Sequence, residues 1–235
     1  MDRAIEPELL DALPAADHRA IRSRRDLDRI NLVMGSAKVI ASELALCPER
    51  PLRVLELGAG DGAMFLKVVG RLKCAGHSEI TLLDKNSQVR QEMVRELENF
   101  GWSVQSVTSD AFVWLREEKR HYSVIVANLF LHHFDDTALR KLFGLIEQRC
   151  ETFIAFEPRR SGWGLFFSQW VWLIGCSGVT CHDAPVSVRA GFKGHELFFL
   201  WPGKTDWALL EHAAGRFGHL FVARRRRARV GDQRG

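Results

Sequence analysis

Apolar residues along this chain follow two periods, and the switches between them mark its elements. Over residues 27–46, Leu27, Ile30, Met34, Ala37 and Ala41 recur at three- and four-residue steps, and Leu32, Val33, Val39, Ile40, Leu44 and Leu46 widen the stripe. That period predicts a helix, with Asp26 and Asp28 at its start and Gly35 loosening its middle. Residues 52–57, 79–84, 102–107, 122–131 and 151–156 read instead as short strands, with β-branched Thr81 in the second and an uninterrupted Val124, Ile125 and Val126 in the fourth, as in a strand buried on both faces. Helical patterns separate most of them: Met64 to Val69, residues 87–100 with Val89, Met93, Val94 and Leu97 inward, and residues 139–148. Strand–helix alternation of this kind predicts a parallel sheet with right-handed crossovers. Residues 207–211 and 219–223, joined through 212–218, read as a closing antiparallel pair. The expected fold class is α/β: an open sheet of about seven strands, mostly parallel, with helices on both faces.

The first strand runs into a glycine-rich turn, LELGAGDGA, with Gly58, Gly60 and Gly62. Glycine belongs where φ is positive or where a Cβ would block close approach of a ligand to the backbone. A strand, such a turn and a helix N-terminus suit two cofactor classes. Dinucleotides use G-x-G-x-x-G/A, which Gly58, Gly60 and Ala63 satisfy. Glu56, however, stands two residues before Gly58, where its carboxylate repels a pyrophosphate but suits an ammonium and a sulfonium. E-x-G-x-G-x-G after an apolar strand resembles the first motif of class I S-adenosylmethionine-dependent methyltransferases. The resemblance implies a Rossmann-like sheet, S-adenosyl-L-methionine as cofactor, and Glu56, Gly58, Gly60 and Gly62 in its site.

The strand ends supply the other candidates, since open α/β sheets bind ligands outside the carboxyl ends of their strands. Asp84 closes the second strand, 22 residues beyond Gly62, where an acid accepts hydrogen bonds from ribose hydroxyls. Both cofactor classes share that role, and a turn or N-cap aspartate is the plainer alternative. Ser109-Asp110-Ala111 follows the third strand. Alone it reads as a helix cap; the resemblance implies that Asp110, with Ala111 beside it, reaches the adenine amino group. Asn128 falls at the end of the fourth strand, where the resemblance puts the transferable methyl group, and a turn-forming asparagine is the competing reading. His132 and His133 follow. An imidazole titrates near neutrality and can take a proton from a phenol or enol, so both are candidate catalytic bases; capping or cofactor shielding is the alternative. No metal is expected, because the side chains of His132, His133, Asp135 and Asp136 tend to diverge and show no metal-ligand spacing. Glu157 and Arg159, at the end of the fifth strand, are candidate substrate contacts or surface ion-pair partners.

Composition narrows the class. The chain has 235 residues, a net charge of +4 and five cysteines, an odd and scattered set that argues for reduced thiols and a cytoplasmic location. The first ten residues lack the order of a signal peptide, and no apolar run has the length of a bilayer span. Part of the positive charge sits in one late cluster, Arg224 to Arg227 with Arg229, and residues 224–235 have no apolar face and read as a disordered, solvated tail. Stacking aromatics are absent around it, so no nucleic-acid partner is expected. The domain reading is therefore an N-terminal helical lid segment at 1–50, a catalytic domain at 51–223 and a basic tail at 224–235.

Two stretches in an insertion at about 159–203 are rich in aromatics. Residues 162–176 hold Trp163, Trp170, Trp172, Phe166 and Phe167 without a charge. A buried core helix is the first expectation, followed by a wall for a lipophilic substrate and a contact with a membrane surface. Residues 186–202 read as a cap over the substrate pocket or as a surface hairpin. The segments SRRDLDRINLVMG, ANLFLHHF, EPRRS, SVRAGF and ELFFLWP together resemble small bacterial methyltransferases encoded beside type III polyketide synthases. That resemblance implies a small lipophilic acceptor, phenolic or quinone-like. The rival readings are an NAD(P)-dependent oxidoreductase on a similar sheet, against which Glu56 argues, and a non-catalytic nucleoside-binding module at a membrane surface.

Overall fold

The computed structural model describes residues 1–14, 16–48, 50–72, 77–86 and 89–226. Cys74, Ser87, Arg227 and Arg229, which entered the sequence reading, lie outside the described residues. Three helices come first: α1 (Leu9–Ala12), α2 (His18–Met34) and α3 (Ser36–Ala45). Alternation follows with β1 (Arg53–Leu57), α4 (Ala63–Val69), β2 (Ser78–Asp84), α5 (Gln91–Asn99), β3 (Trp102–Thr108), α6 (Ala111–Glu117), β4 (Tyr122–Asn128), α7 (Asp136–Glu147) and β5 (Cys150–Pro158). Then come α8 (Gly162–Ser168), α9 (Gly178–Ala190), α10 (Glu196–Leu200), β6 (Trp207–Ala214) and β7 (Gly218–Arg225).

The strands form one seven-stranded sheet in the order β3-β2-β1-β4-β5-β7-β6. Strands β1 to β5 are parallel, and β7 is antiparallel to both β5 and β6. The expected fold class is the observed one. Because the central strands are covered on both faces, their alternate residues feed two cores. Val54, Val124 and Ile154 pack with Ile40, Leu44 and Phe65 on one side. Leu55, Ile125 and Phe153 pack with Leu142, Phe143 and Trp201 on the other.

Five stretches differ from the sequence reading. The helix expected over 27–46 is two helices. Gly35 adopts φ +71° and its N–H donates to Asn31 and Leu32 carbonyls, so it ends α2 and begins α3. Helix α2 also begins earlier, where the Asp17 side chain accepts from Arg19 N–H. Strand β4 stops at Asn128, because Leu129 turns at φ +51°. Residues 162–176 are not a core helix. They form the short α8 and a 3-10 turn, Val171–Ile174, that pack on α9 rather than on the sheet, and leave most of their aromatics exposed. Residues 186–202 are not a hairpin either: they are the end of α9, a bridge from Phe192 to Arg159, and α10. Strand β7 takes two residues from the predicted tail. Arg224 pairs with Glu43, and the Arg225 guanidinium lies 4.5 Å from the centre of the Trp207 ring.

Candidate functional site

Strand order fixes where a ligand binds. From β1 the chain winds outward through β2 to β3, and from β4 it winds the other way to β5. The crevice between the carboxyl ends of β1 and β4 is therefore the topological switch point. The glycine turn follows β1 there. Gly58, Gly60 and Gly62 all have positive φ, at +70°, +57° and +82°. They are not equivalent. A Cβ at Gly58 would lie 2.6 Å from the Phe130 ring, whereas a Cβ at Gly60 would meet nothing within 4 Å. Gly58 serves close packing, and Gly60 faces open space beside the backbone. Asp84 fixes the turn: its Oδ2 accepts from Gly60 N–H at 2.9 Å and its Oδ1 from Asn86 N–H at 2.7 Å.

Glu56 is the anomalous group of this end. It is 2 % exposed, and its Oε2 has no hydrogen-bond partner among the described residues. Burial, with Asp61 and Asp84 nearby, pushes its pKa up to about 8. Ionising it at neutral pH costs on the order of 5 kcal/mol relative to an ordinary carboxyl. A cationic ligand would offset that cost. Asn128 carries a second orphan. Its Nδ2 donates to Asn31 Oδ1 at 3.1 Å, and Ser36 Oγ also donates to that oxygen, while Asn128 Oδ1 has no partner among the described residues. Asp110 caps α6, its Oδ1 accepting from Phe112 and Val113 N–H, with Ala111 buried behind it. The plain cap reading is thus realised there; its other carboxylate oxygen has no role in that cap.

Beyond Leu129, a 3-10 turn, Leu131–His133, presents the two histidines. Glu157 anchors it. This fully buried carboxylate accepts from Phe130 and Leu131 N–H through Oε1, and from His132 Nδ1 through Oε2 at 2.7 Å. On the far side, His132 Nε2 lies 3.5 Å from Glu8, whose carboxylate also accepts from Ser187 Oγ. Burial alone would lower the His132 pKa, but Glu157 and Glu8 outweigh it and raise it to about 9. His132 is therefore an imidazolium at neutral pH. His133 goes the other way. Burial and then the neighbouring His132 charge hold its pKa below the usual histidine value, and Asp11 lies 3.5 Å from its Nδ1. The pair divides into one charged and one neutral ring.

His133 lines a cavity of about 200 Å³. Its wall is apolar for most of its extent, with Leu27, Ile30 and Met34 from α2 facing Phe167, Val171 and Ile174. Its polar end holds Glu8, Asp11, His132 and His133. Leu129 also lines it, one residue beyond Asn128. Of the candidate substrate contacts, neither Glu157 nor Arg159 lines this cavity; Pro158 between them does. Glu157 positions His132, and the Arg159 backbone bridges to Phe192.

The N-terminal segment was expected as a lid, and two of its helices do reach the cavity. Asp183 holds α1 there by accepting from Leu9 and Leu10 N–H. Helix α3 instead joins the sheet core. Glu8, Asp11 and Asn31 were missed from sequence. They stand far in sequence from the residues they meet: Glu8, just before α1, and Asp11 within it carry no signature, and Asn31 is in the segment SRRDLDRINLVMG but has no role of its own there. The adjacent histidines also do not diverge as expected: their ring centres are 4.2 Å apart. With Glu8 they bring three ligating atoms within 4.8 Å of one another, a grouping that sequence spacing conceals.

A family model described as a methyltransferase domain matches residues 34–157. No curated protein matches the chain. Among solved structures, an O-methyltransferase family protein from Burkholderia thailandensis is similar at a TM-score of 0.64 and 16% identity, covering 90% of this chain and 61% of that one. The plantazolicin methyltransferase BpumL, in complex with SAH, gives 0.62 at 13% identity over 90% of this chain and 92% of that chain. Magnesium protoporphyrin IX methyltransferase from Synechocystis PCC 6803, with bound SAH, gives 0.55 at 10% identity over 92% and 91%. At these identities the likeness is one of fold. The family match covers more than half of the sequence and contains the glycine turn and both histidines: the chain belongs to the methyltransferase domain family.

Proposed function

We propose that this protein is an S-adenosylmethionine-dependent methyltransferase acting on a small lipophilic acceptor of phenolic or quinone-like type. The cofactor end supports the first half. A cofactor carrying an ammonium and a sulfonium answers the orphan carboxylate of Glu56, and Asn128 Oδ1 offers a free acceptor for an N–H. Gly60 leaves room for close approach, and Asp84 stands at the β2 end for ribose hydroxyls. The solved structures with bound SAM or SAH share this fold. When bound, S-adenosylmethionine supplies an activated methyl group.

The single observation that carries the acceptor reading is the neutral His133 at the polar end of an otherwise apolar cavity. A neutral imidazole can take the proton of an acceptor hydroxyl, and Asp11 beside it stabilises the charge that results. His132, already protonated, cannot serve as that base at neutral pH. It holds the turn and the N-terminal segment in place and keeps His133 unprotonated. The cavity wall orients the acceptor and excludes water. The test is mass spectrometry of candidate resorcinols, phenolic lipids and hydroquinones incubated with isotope-labelled cofactor. Labelled methyl on a lipophilic phenol is the expected result; transfer confined to polar, water-soluble acceptors overturns the reading. Calorimetric titration with S-adenosylhomocysteine and with NADH checks the cofactor separately: binding of NADH alone would return the chain to the oxidoreductase class.

A further inference from the structure

We propose that the exposed aromatic patch on α8 and the following 3-10 turn docks on an anionic lipid bilayer, with the cavity mouth beside it. Trp163, Phe166, Trp172 and Leu173 are 72%, 51%, 54% and 64% exposed. Soluble chains rarely leave so many large apolar side chains together on one surface. Tryptophan favours the boundary between water and lipid, because its ring is apolar and its N–H stays hydrated.

Charge selects the partner. No acidic residue occurs between Glu157 and Asp183. Alongside, α2 presents Arg22, Arg25 and Arg29 at three- and four-residue steps, all exposed. Arg29 ties this stripe to the patch, its guanidinium 3.4 Å from the Gly175 carbonyl. Arg22 and Arg25 have no ion pair among the described residues. An apolar patch flanked by a basic stripe complements a surface of anionic headgroups over an apolar interior. No described helix is long and apolar enough to cross a membrane, so the contact is peripheral.

Continuity with the cavity gives the contact its use. Phe167, Val171 and Ile174 line the cavity from the same two turns whose other side chains form the patch. A lipophilic acceptor then passes from bilayer to His133 along an apolar wall. This last point rests on the proposed lipophilic acceptor; the docking itself does not.

The experiment is co-sedimentation of the full-length protein with vesicles of phosphatidylcholine alone or mixed with phosphatidylglycerol, without cofactor or acceptor. Vesicle binding is thus read independently of any methyl transfer. Binding to the anionic vesicles, weakened by salt, is expected. Trp163→Ala with Trp172→Ala should lower it at least about tenfold, while S-adenosylhomocysteine affinity and melting temperature stay unchanged. Arg22→Glu with Arg25→Glu should remove the preference for anionic vesicles. No binding to either vesicle type overturns the proposal. So does a concentration-dependent dimer that the tryptophan substitutions dissociate, since the patch would then face a second copy of the chain.

Discussion

Glu157 Oε2 lies 2.7 Å from Nδ1 of His132, and this contact helps to keep His132 charged while the adjacent His133 stays neutral. His132, held between Glu157 and Glu8, keeps its proton to about pH 9, while His133 beside it is pushed below its usual range. On the proposed function, a charged ring and a neutral ring in contact would let one site hold both a fixed electrostatic clamp and a base.

The division predicts different kinetics for the two positions. His133→Ala should lower kcat by about 10²- to 10⁴-fold with S-adenosylhomocysteine affinity near normal. In the unsubstituted protein, kcat/KM should rise with pH through a value below the ordinary histidine pKa and be level at neutrality. His132→Gln removes the charge that depresses His133, so that acid limb should move to higher pH. An unmoved limb would show that the two rings do not interact. Dialysis against EDTA should leave turnover unchanged; a loss restored by a divalent ion would assign Glu8, His132 and His133 to a metal instead.

Glu56 predicts a proton linkage. Its pKa of about 8 leaves it mostly neutral at pH 7, and a bound ammonium would drive it to ionise. Cofactor binding should therefore release about one proton at pH 7, and affinity should rise with pH toward 8. Calorimetry in buffers of differing ionisation enthalpy reads the proton directly. Glu56→Gln should abolish the release and weaken binding about tenfold or more. Identical heats in all buffers would mean that Glu56 does not face the cation.

Gly60 separates ligand space from backbone strain. A valine there would combine both effects, since β-branched residues resist positive φ. Alanine tolerates φ +57° at a cost of about 1–2 kcal/mol and places one methyl where no described atom lies within 4 Å. Gly60→Ala should still fold, with a modest fall in melting temperature, and should lose cofactor affinity. Full affinity in a folded variant would remove the turn from the site.

What the sequence could disclose depended on whether the cause was local. β-branched runs such as Val124 to Val126 and the turn from Gly58 to Gly62 declare themselves within a few residues, and both lie where they were expected. Glu56 could be read as unusual because a carboxylate at that strand end has no local use. The acceptor side could not be read this way. Glu8 and Asp11 matter only because Asp183 caps α1 and brings them to the histidines. Residues 162–176 misled for a related reason: hydrophobicity measures a preference for leaving water, and it does not say whether protein, ligand or lipid receives the side chain. Glu157 looked like a cavity residue from its place at a strand end, yet its carboxylate turns into the protein to hold the 131–133 turn.

The His132 clamp also predicts how the N-terminal segment responds to pH. Arg3 donates to the Phe134 and Ala190 carbonyls, and Glu8 faces His132, so residues 1–12 lie across the polar end of the cavity. A histidine raised from its unfolded value near 6.5 to about 9 contributes stability that is complete below pH 6.5. That contribution, on the order of 3 kcal/mol at most, is lost as pH rises through 9. Amides of residues 9–12 should then exchange faster at pH 9.5 than at pH 7, after correction for the intrinsic pH dependence of exchange. In His132→Gln the segment should exchange fast at both. If protection is the same at the two pH values in the unsubstituted protein, Arg3 and Asp183 hold the segment and the imidazolium does not.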